Sequence, residues 1–292
     1  MHWADYTAQR LMERGDEQVS ASGITPSGEF HIGHLREILS AEMIHRACLD
    51  AGMSSKYIFI VDSMDPLRRV YDFLSPEYEE FIGCPLAYIP APDEDGSPGD
   101  GSVTYADHFL SPFLDSLEQI GVRPEVVMNH ETYERGLFAE YIDSAITNRE
   151  EIRSIIQQIS GRELPHDWFP YNPMGSGGSM DGVTVTGYEK PYVVWRDSSG
   201  NEGKSDIRKA HGKMPWRVDW ASRWVIHGIT CEPAGKDHGA AGGSYDTGIP
   251  ICRLLGGNPP DKIVYEWIQL KGMGPMSSSS GLTIGPMEAL SL

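Results

Sequence analysis

The chain has 292 residues, 40% hydrophobic and 23% charged, ample for one large α/β domain or one domain carrying an inserted subdomain. No run approaches the roughly 18 apolar residues of a membrane span, and the charged start MHWADYTAQRLMERGDEQ has no signal-peptide core. Cys48, Cys84, Cys231 and Cys252 form no C-x-x-C pair, so a reducing, cytoplasmic setting is expected, and a net charge of −18 argues against a large polyanionic partner, which needs a basic face.

Residues 17–25, EQVSASGIT, read as a short strand running into a turn. From His34 to Asp50 the residues Leu35, Ile38, Leu39 and Met43 fall at helical spacing, with Gly52 just past the end. KYIFIVDS, 56–63, is a continuous apolar run of the kind that forms a parallel strand buried on both faces. Strand, helix and strand in this order make a βαβ unit, the building block of a doubly wound parallel sheet. After the Pro- and Gly-rich polar loop 90–101, PEVVMN at 124–129 reads as another strand and 134–160 as mostly helical. Residues 170–205, rich in Gly, Ser and aromatics, read as an irregular or small β insertion. From 217 the α/β pattern resumes with a Trp-rich helix, a strand near GITCEP, a helix from about Ser244 to Leu255 and a strand at KIVYEWI, before the loop KGMGPMSSSSG. The expected organisation is one α/β domain: a first βαβ half over 1–89, a connective insertion with helices over 90–216, and a second half over 217–292.

In GITPSGEFHIGHLREIL, His31 and His34 flank Ile32 and Gly33 where a loop becomes a helix. The first N–H groups of a helix have no internal partner and carry partial positive charge, which suits phosphate. Two imidazoles add donors there, and Gly33 would let a flat base or ribose come close. The same spacing also fits surface or capping histidines, or a metal pair, although no third ligand cluster accompanies it. Taken alone the motif is ambiguous.

The late Ser/Gly loop MSSSSG, 276–281, changes its weight. An early HIGH motif and a late KMSKS-type loop together resemble the ATP-binding signature of class I aminoacyl-tRNA synthetases. HWADYTAQ, GITPSGEFHIGHLREIL, DWFPYNP, GKMPWRVDWASRW, EPAGKDHGAAGGSYDTG and YEWIQLKGMGPMSSSSG further resemble the class I lysyl-tRNA synthetases, over essentially the whole chain. The resemblance implies a Rossmann-like, HIGH-type nucleotide-binding domain that forms aminoacyl-adenylate from ATP, with Mg²⁺ accompanying the nucleotide. It places Thr25, Pro26, His31, Gly33, His34, Asp237, Met276, Ser277, Ser278 and Ser279 at ATP, and Gly23, Thr25, Trp220, His238 and Tyr265 around a lysine-like amino acid. His31, His34 and Ser279 would serve catalysis by positioning and charge neutralisation.

Three departures qualify the resemblance. Ser280 stands where the family loop has a lysine, and Lys271 is the nearest substitute by sequence. NPMGSGGSMDG and VWRDSSGNEG lack the paired cysteines that bind zinc in family members, so no metal site is expected. The family continues into an anticodon-binding domain where this chain ends at Leu292, which makes tRNA an unexpected partner. The expected function is therefore activation of lysine or a close analogue and transfer to a non-tRNA acceptor, a small-molecule amine, hydroxyl or thiol, or a carrier protein. The alternatives are a truncated lysyl-tRNA synthetase acting on the acceptor stem, and a non-catalytic regulator binding ATP or an amino acid.

Overall fold

A computed structural model describes residues 1–270, 274–275 and 284–291. Helix α1 (Trp3–Met12) leads to β1 (Glu17–Ile24), α2 (Ile32–Asp50) and β2 (Ser54–Val61). β1 and β2 pair in parallel from Glu17 opposite Ser54 to Ile24 opposite Val61, so the expected βαβ unit is present. Helix α3 (Tyr105–Gln119) starts at Thr104, whose Oγ1 accepts the Asp107 N–H, and leads to β3 (Glu125–Met128). Three helices follow, α4 (Asn129–Glu134), α5 (Ala139–Thr147) and α6 (Arg149–Ser160).

The Gly- and Ser-rich segment is more regular than its composition suggests. Between β4 (Asn172–Pro173) and β8 (Gly212–Lys213), which pair with each other, β5 (Thr184–Glu189), β6 (Tyr192–Arg196) and β7 (Glu202–Asp206) form an antiparallel sheet. Its tip is fastened by Asp197, which accepts from the Ser176 hydroxyl at 2.7 Å and the Asn201 N–H at 2.9 Å. The chain then returns through α7 (Trp216–Ile226), β9 (Cys231–Gly235), α8 (Lys236–Gly239), α9 (Ser244–Leu254) and β10 (Asp261–Tyr265).

The main sheet is parallel throughout, in the order β10-β9-β1-β2-β3. Strand β3 lies within the 90–216 segment read as insertion, yet it is the edge of the main sheet beside β2. The alternation along β2 separates two cores: Ile58 and Ile60 pack with α7, while Tyr57, Phe59 and Val61 pack with α2 and α3. Burial on both faces explains why this strand is a continuous apolar run. All four cysteines are buried free thiols. Among the described residues, no helix is long and apolar enough to cross a membrane.

Strand order reverses at β1, which sends the chain outward through β2 and β3 and takes it back at β9. Open α/β sheets bind ligands at the carboxyl ends of the strands beside such a reversal. A cleft of ≈ 570 Å³ lies there, reached by Gly23 and Thr25 at the end of β1, Asp62 and Asp65 after β2, and His238 after β9.

Candidate active site

Helix α2 starts two residues earlier than its apolar spacing predicts, because His31 is its N-cap. The His31 Nδ1 accepts the Gly33 N–H at 3.0 Å, and the His34 Nδ1 accepts the His31 N–H at 3.0 Å. This is a reciprocal capping box built from two imidazoles, whose rings stack with centroids 4.0 Å apart. A Cβ on Gly33 would lie 2.6 Å from the His31 ring, so glycine is needed here by the capping imidazole itself.

The backbone donors expected to face phosphate are already engaged. The Ile32 N–H donates to the Ile284 carbonyl, the Gly33 N–H to His31, and the His34 N–H to the His31 carbonyl. Any donors left for an anion are on the rings. With both Nδ1 atoms accepting, these hydrogen bonds assign the proton of each neutral imidazole to Nε2. Burial lowers the His31 pKa, and burial followed by the neighbouring His31 lowers that of His34 to about 3, so both rings are neutral at pH 7. His34 lines the cleft, whereas His31 is buried beside it.

One turn along α2 from His34, Glu37 enters the same cleft. Its Oε1 accepts the Gly23 N–H at 2.8 Å and its Oε2 accepts the Tyr265 hydroxyl at 3.0 Å. Tyr265, expected at the amino acid, thus acts here by holding Glu37. Burial pushes the Glu37 carboxyl up to about 8; those two hydrogen bonds oppose the shift, and Glu232 and Asp62 add to it by repulsion. Among the described residues no cation forms an ion pair with Glu37.

Below the cleft is a buried ionic network. Arg223 of α7 pairs with both Asp62 and Asp219, and Lys213 of β8 pairs with Asp65. The Tyr133 hydroxyl donates to Asp219 at 2.5 Å, and the Thr25 hydroxyl donates to Asp65 at 2.7 Å. Higher on the wall, Arg68, Arg162 and Arg217 line the cleft without an ion pair among the described residues, although the Arg217 guanidinium donates to the Thr247 hydroxyl at 2.7 Å. Three guanidinium groups thus line one cleft in a chain of net charge −18, a local concentration of positive charge on an acidic protein.

The remaining expected residues divide. Gly23, Thr25, His34 and His238 line the cleft together. Trp220 is 5% exposed and sits behind the cleft wall, 5.8 Å from the His238 ring; Trp216, which stacks on it at 5.0 Å, is the indole that lines the cleft. Pro26 is buried and does not line the cleft. Asp237 is exposed beside it, near His238 at 3.3 Å and accepting from the Trp267 indole at 3.2 Å. Lys271, Met276, Ser277, Ser278, Ser279 and Ser280 lie outside the described residues. The sequence reading missed Glu37, Asp62, Asp65, Lys213 and the three arginines; only Glu37 had a signal, its place three residues after His34.

Comparison with known proteins places the chain in a family. The family model described as tRNA synthetases class I (K) matches residues 1–292. A lysine–tRNA ligase of Picrophilus torridus is 43% identical over 292 residues, covering 99% of this chain and 56% of the relative. One from Archaeoglobus fulgidus is 44% identical over 290 residues, covering 99% of this chain and 57% of the relative. The chain therefore spans a little over half the length of the curated relatives it matches. Among solved structures, the tyrosyl-tRNA synthetase of Archaeoglobus fulgidus complexed with L-tyrosine is similar with a TM-score of 0.48 and 16% identity, covering 95% of this chain and 63% of that one.

Proposed function

This chain belongs to the class I (K) tRNA synthetases, and we propose that it activates lysine or a close analogue with ATP and passes the aminoacyl group to the 3′ end of a tRNA. The observation that carries the substrate is Glu37. A half-buried carboxylate held by a backbone N–H and a phenol, with a raised pKa and no ion pair among the described residues, is complemented by an ammonium group. A lysine side chain ending at Glu37 supplies that charge. Its α-carboxylate would be matched by Arg68, Arg162 and Arg217, which line the same cleft.

The reaction is attack of a carboxylate oxygen on the α-phosphorus of ATP. The new C–O–P linkage forms as the bond to the bridging α–β oxygen breaks, and pyrophosphate leaves with that electron pair. Fixed donors matter most in such a step, because negative charge moves without covalent help from the protein. The Nε2–H of His34, and that of His31 behind it, are neutral donors held in place by their own capping bonds. Among the described residues no group of three or more His, Cys, Asp or Glu is placed to hold a metal. Mg²⁺ would come bound to ATP, as it commonly takes phosphate oxygens and water.

For the acceptor, the relatives' names favour tRNA over the small molecule or carrier protein expected from the sequence. The net charge of −18 favours the second reading, a non-tRNA acceptor. ATP–pyrophosphate exchange with an amino-acid panel and no RNA tests the first half-reaction; exchange with lysine or an analogue is expected. Failure with every amino acid, despite ATP or lysine binding, would leave a regulator as the better reading. Adding total tRNA to the active mixture then decides the acceptor: RNase-sensitive acyl product supports tRNA, and its clean absence supports a small molecule or carrier protein.

A further inference from the structure

Thr25, Asp65 and Lys213 form a chain of contacts from the cleft into the insertion. Asp65 is 5% exposed and Lys213 4%, and the Lys213 ammonium contacts the Asp65 Oδ1. The other oxygen of Asp65 accepts the Thr25 hydroxyl proton at 2.7 Å. A hydroxyl has one proton, so once it is given to Asp65 the Thr25 Oγ1 can only accept from what enters the cleft.

We propose that Lys213 is a positioning residue that keeps Asp65 ionised, and thereby fixes the Thr25 hydroxyl as an acceptor for the α-ammonium group of the amino-acid substrate. The inference rests on the lysine-type substrate proposed above. Without Lys213, burial would favour a protonated Asp65, and a carboxylic acid can donate to Thr25 and reverse its polarity. Burial raises the Asp65 pKa, but the ammonium and the hydrogen bonds from Lys213 and Thr25 outweigh it and leave it lowered. Asp62 and Asp65 also repel a carboxylate from this corner, so the α-ammonium enters here while the α-carboxylate turns to the arginines. Glu37 and Thr25, which line the same cleft, then read two different ammonium groups.

The test is calorimetric binding of lysine and of 6-aminohexanoate, which is lysine without its α-amino group, to the full chain. Wild type is expected to prefer lysine. Thr25→Val should weaken lysine about 10- to 100-fold while changing 6-aminohexanoate by no more than about twofold, and Thr25→Ser should keep the preference. Lys213→Met should lower the lysine preference as Thr25→Val does, and Lys213→Arg should keep it. If Lys213→Met does not fold, the double variant Lys213→Met/Asp65→Asn removes both buried charges and should lower it equally. Equal weakening of both ligands in Thr25→Val, or an unchanged preference in the folded Lys213 variant, overturns the proposal. Wild-type protein that binds neither ligand overturns the lysine reading itself; wild type that binds both equally overturns this proposal alone.

Discussion

At the scale of single residues, the informative feature is a carboxyl group kept from its ordinary pKa. Glu37 titrates near 8 because burial outweighs the donors on Gly23 and Tyr265. Its folded-state pKa lies above the unfolded value of roughly 4.3, so it removes stability as pH rises through that window. An ammonium ligand reverses the sign, since it prefers the carboxylate. Lysine should therefore bind more tightly as pH rises from 6 towards 8, approaching about tenfold per unit, and binding at pH 7 should release a proton. Titration calorimetry in two buffers of different ionisation heat measures that release. Glu37→Gln keeps the shape but not the charge: affinity should fall about 10- to 100-fold and the proton release should vanish. Unchanged affinity in this variant would remove Glu37 from the binding site.

At the scale of elements, the proposed function gives the motif at the start of α2 two tasks on different atoms. The Nδ1 atoms cap the helix, which leaves the Nε2 atoms for the phosphate contact proposed above. Asparagine is among the best N-caps, so His31→Asn should stay within about 0.5 kcal/mol of wild-type stability, whereas His31→Leu should lose about 1 kcal/mol. Both variants lack the ring donor, and both should lose on the order of 10²- to 10³-fold in pyrophosphate exchange if it contacts the transition state. Urea unfolding and exchange kinetics on the same samples separate the tasks; full exchange in His31→Asn would mean that His31 is a cap alone. The elements around it were legible where burial follows a local period. KYIFIVDS was readable as a doubly buried strand, and the Trp-rich segment as a helix. The small β insertion expected over 170–205 is present, but its strand pattern was not readable, because the strands are short and their tip is held by contacts such as Asp197 with Ser176, 21 residues apart. Glu37 had its place three residues after His34 as a signal and nothing more: its partner Tyr265 lies 228 residues away, and a lone glutamate on a helix reads as a solvated charge.

Across the whole molecule, the ionic network beneath the cleft joins elements far apart along the chain. Arg223 comes from α7, Asp62 from the end of β2, and Lys213 from β8, while Tyr133 of α4 reaches Asp219 from the other side. Such groups are costly to bury, and their mutual attraction offsets that cost only while every partner is present. Arg223 is 1% exposed and is the cation shared by Asp62 and Asp219. Burial already holds Asp62 above the ordinary carboxylate range even beside that guanidinium. Arg223→Leu leaves two buried carboxylates with only Lys213, 4.0 Å from Asp219, in partial compensation. Stability at pH 8 should then fall by about 3–5 kcal/mol. The deficit has a definite pH sign. Acids raised in the folded state destabilise it above their folded pKa and cease to do so below the unfolded one, so the loss should shrink between pH 8 and pH 5. Urea unfolding of both proteins at these two pH values measures it. A deficit independent of pH would mean that Arg223 contributes its packed side chain and not its charge, and that the two carboxylates are held apart from water by other means.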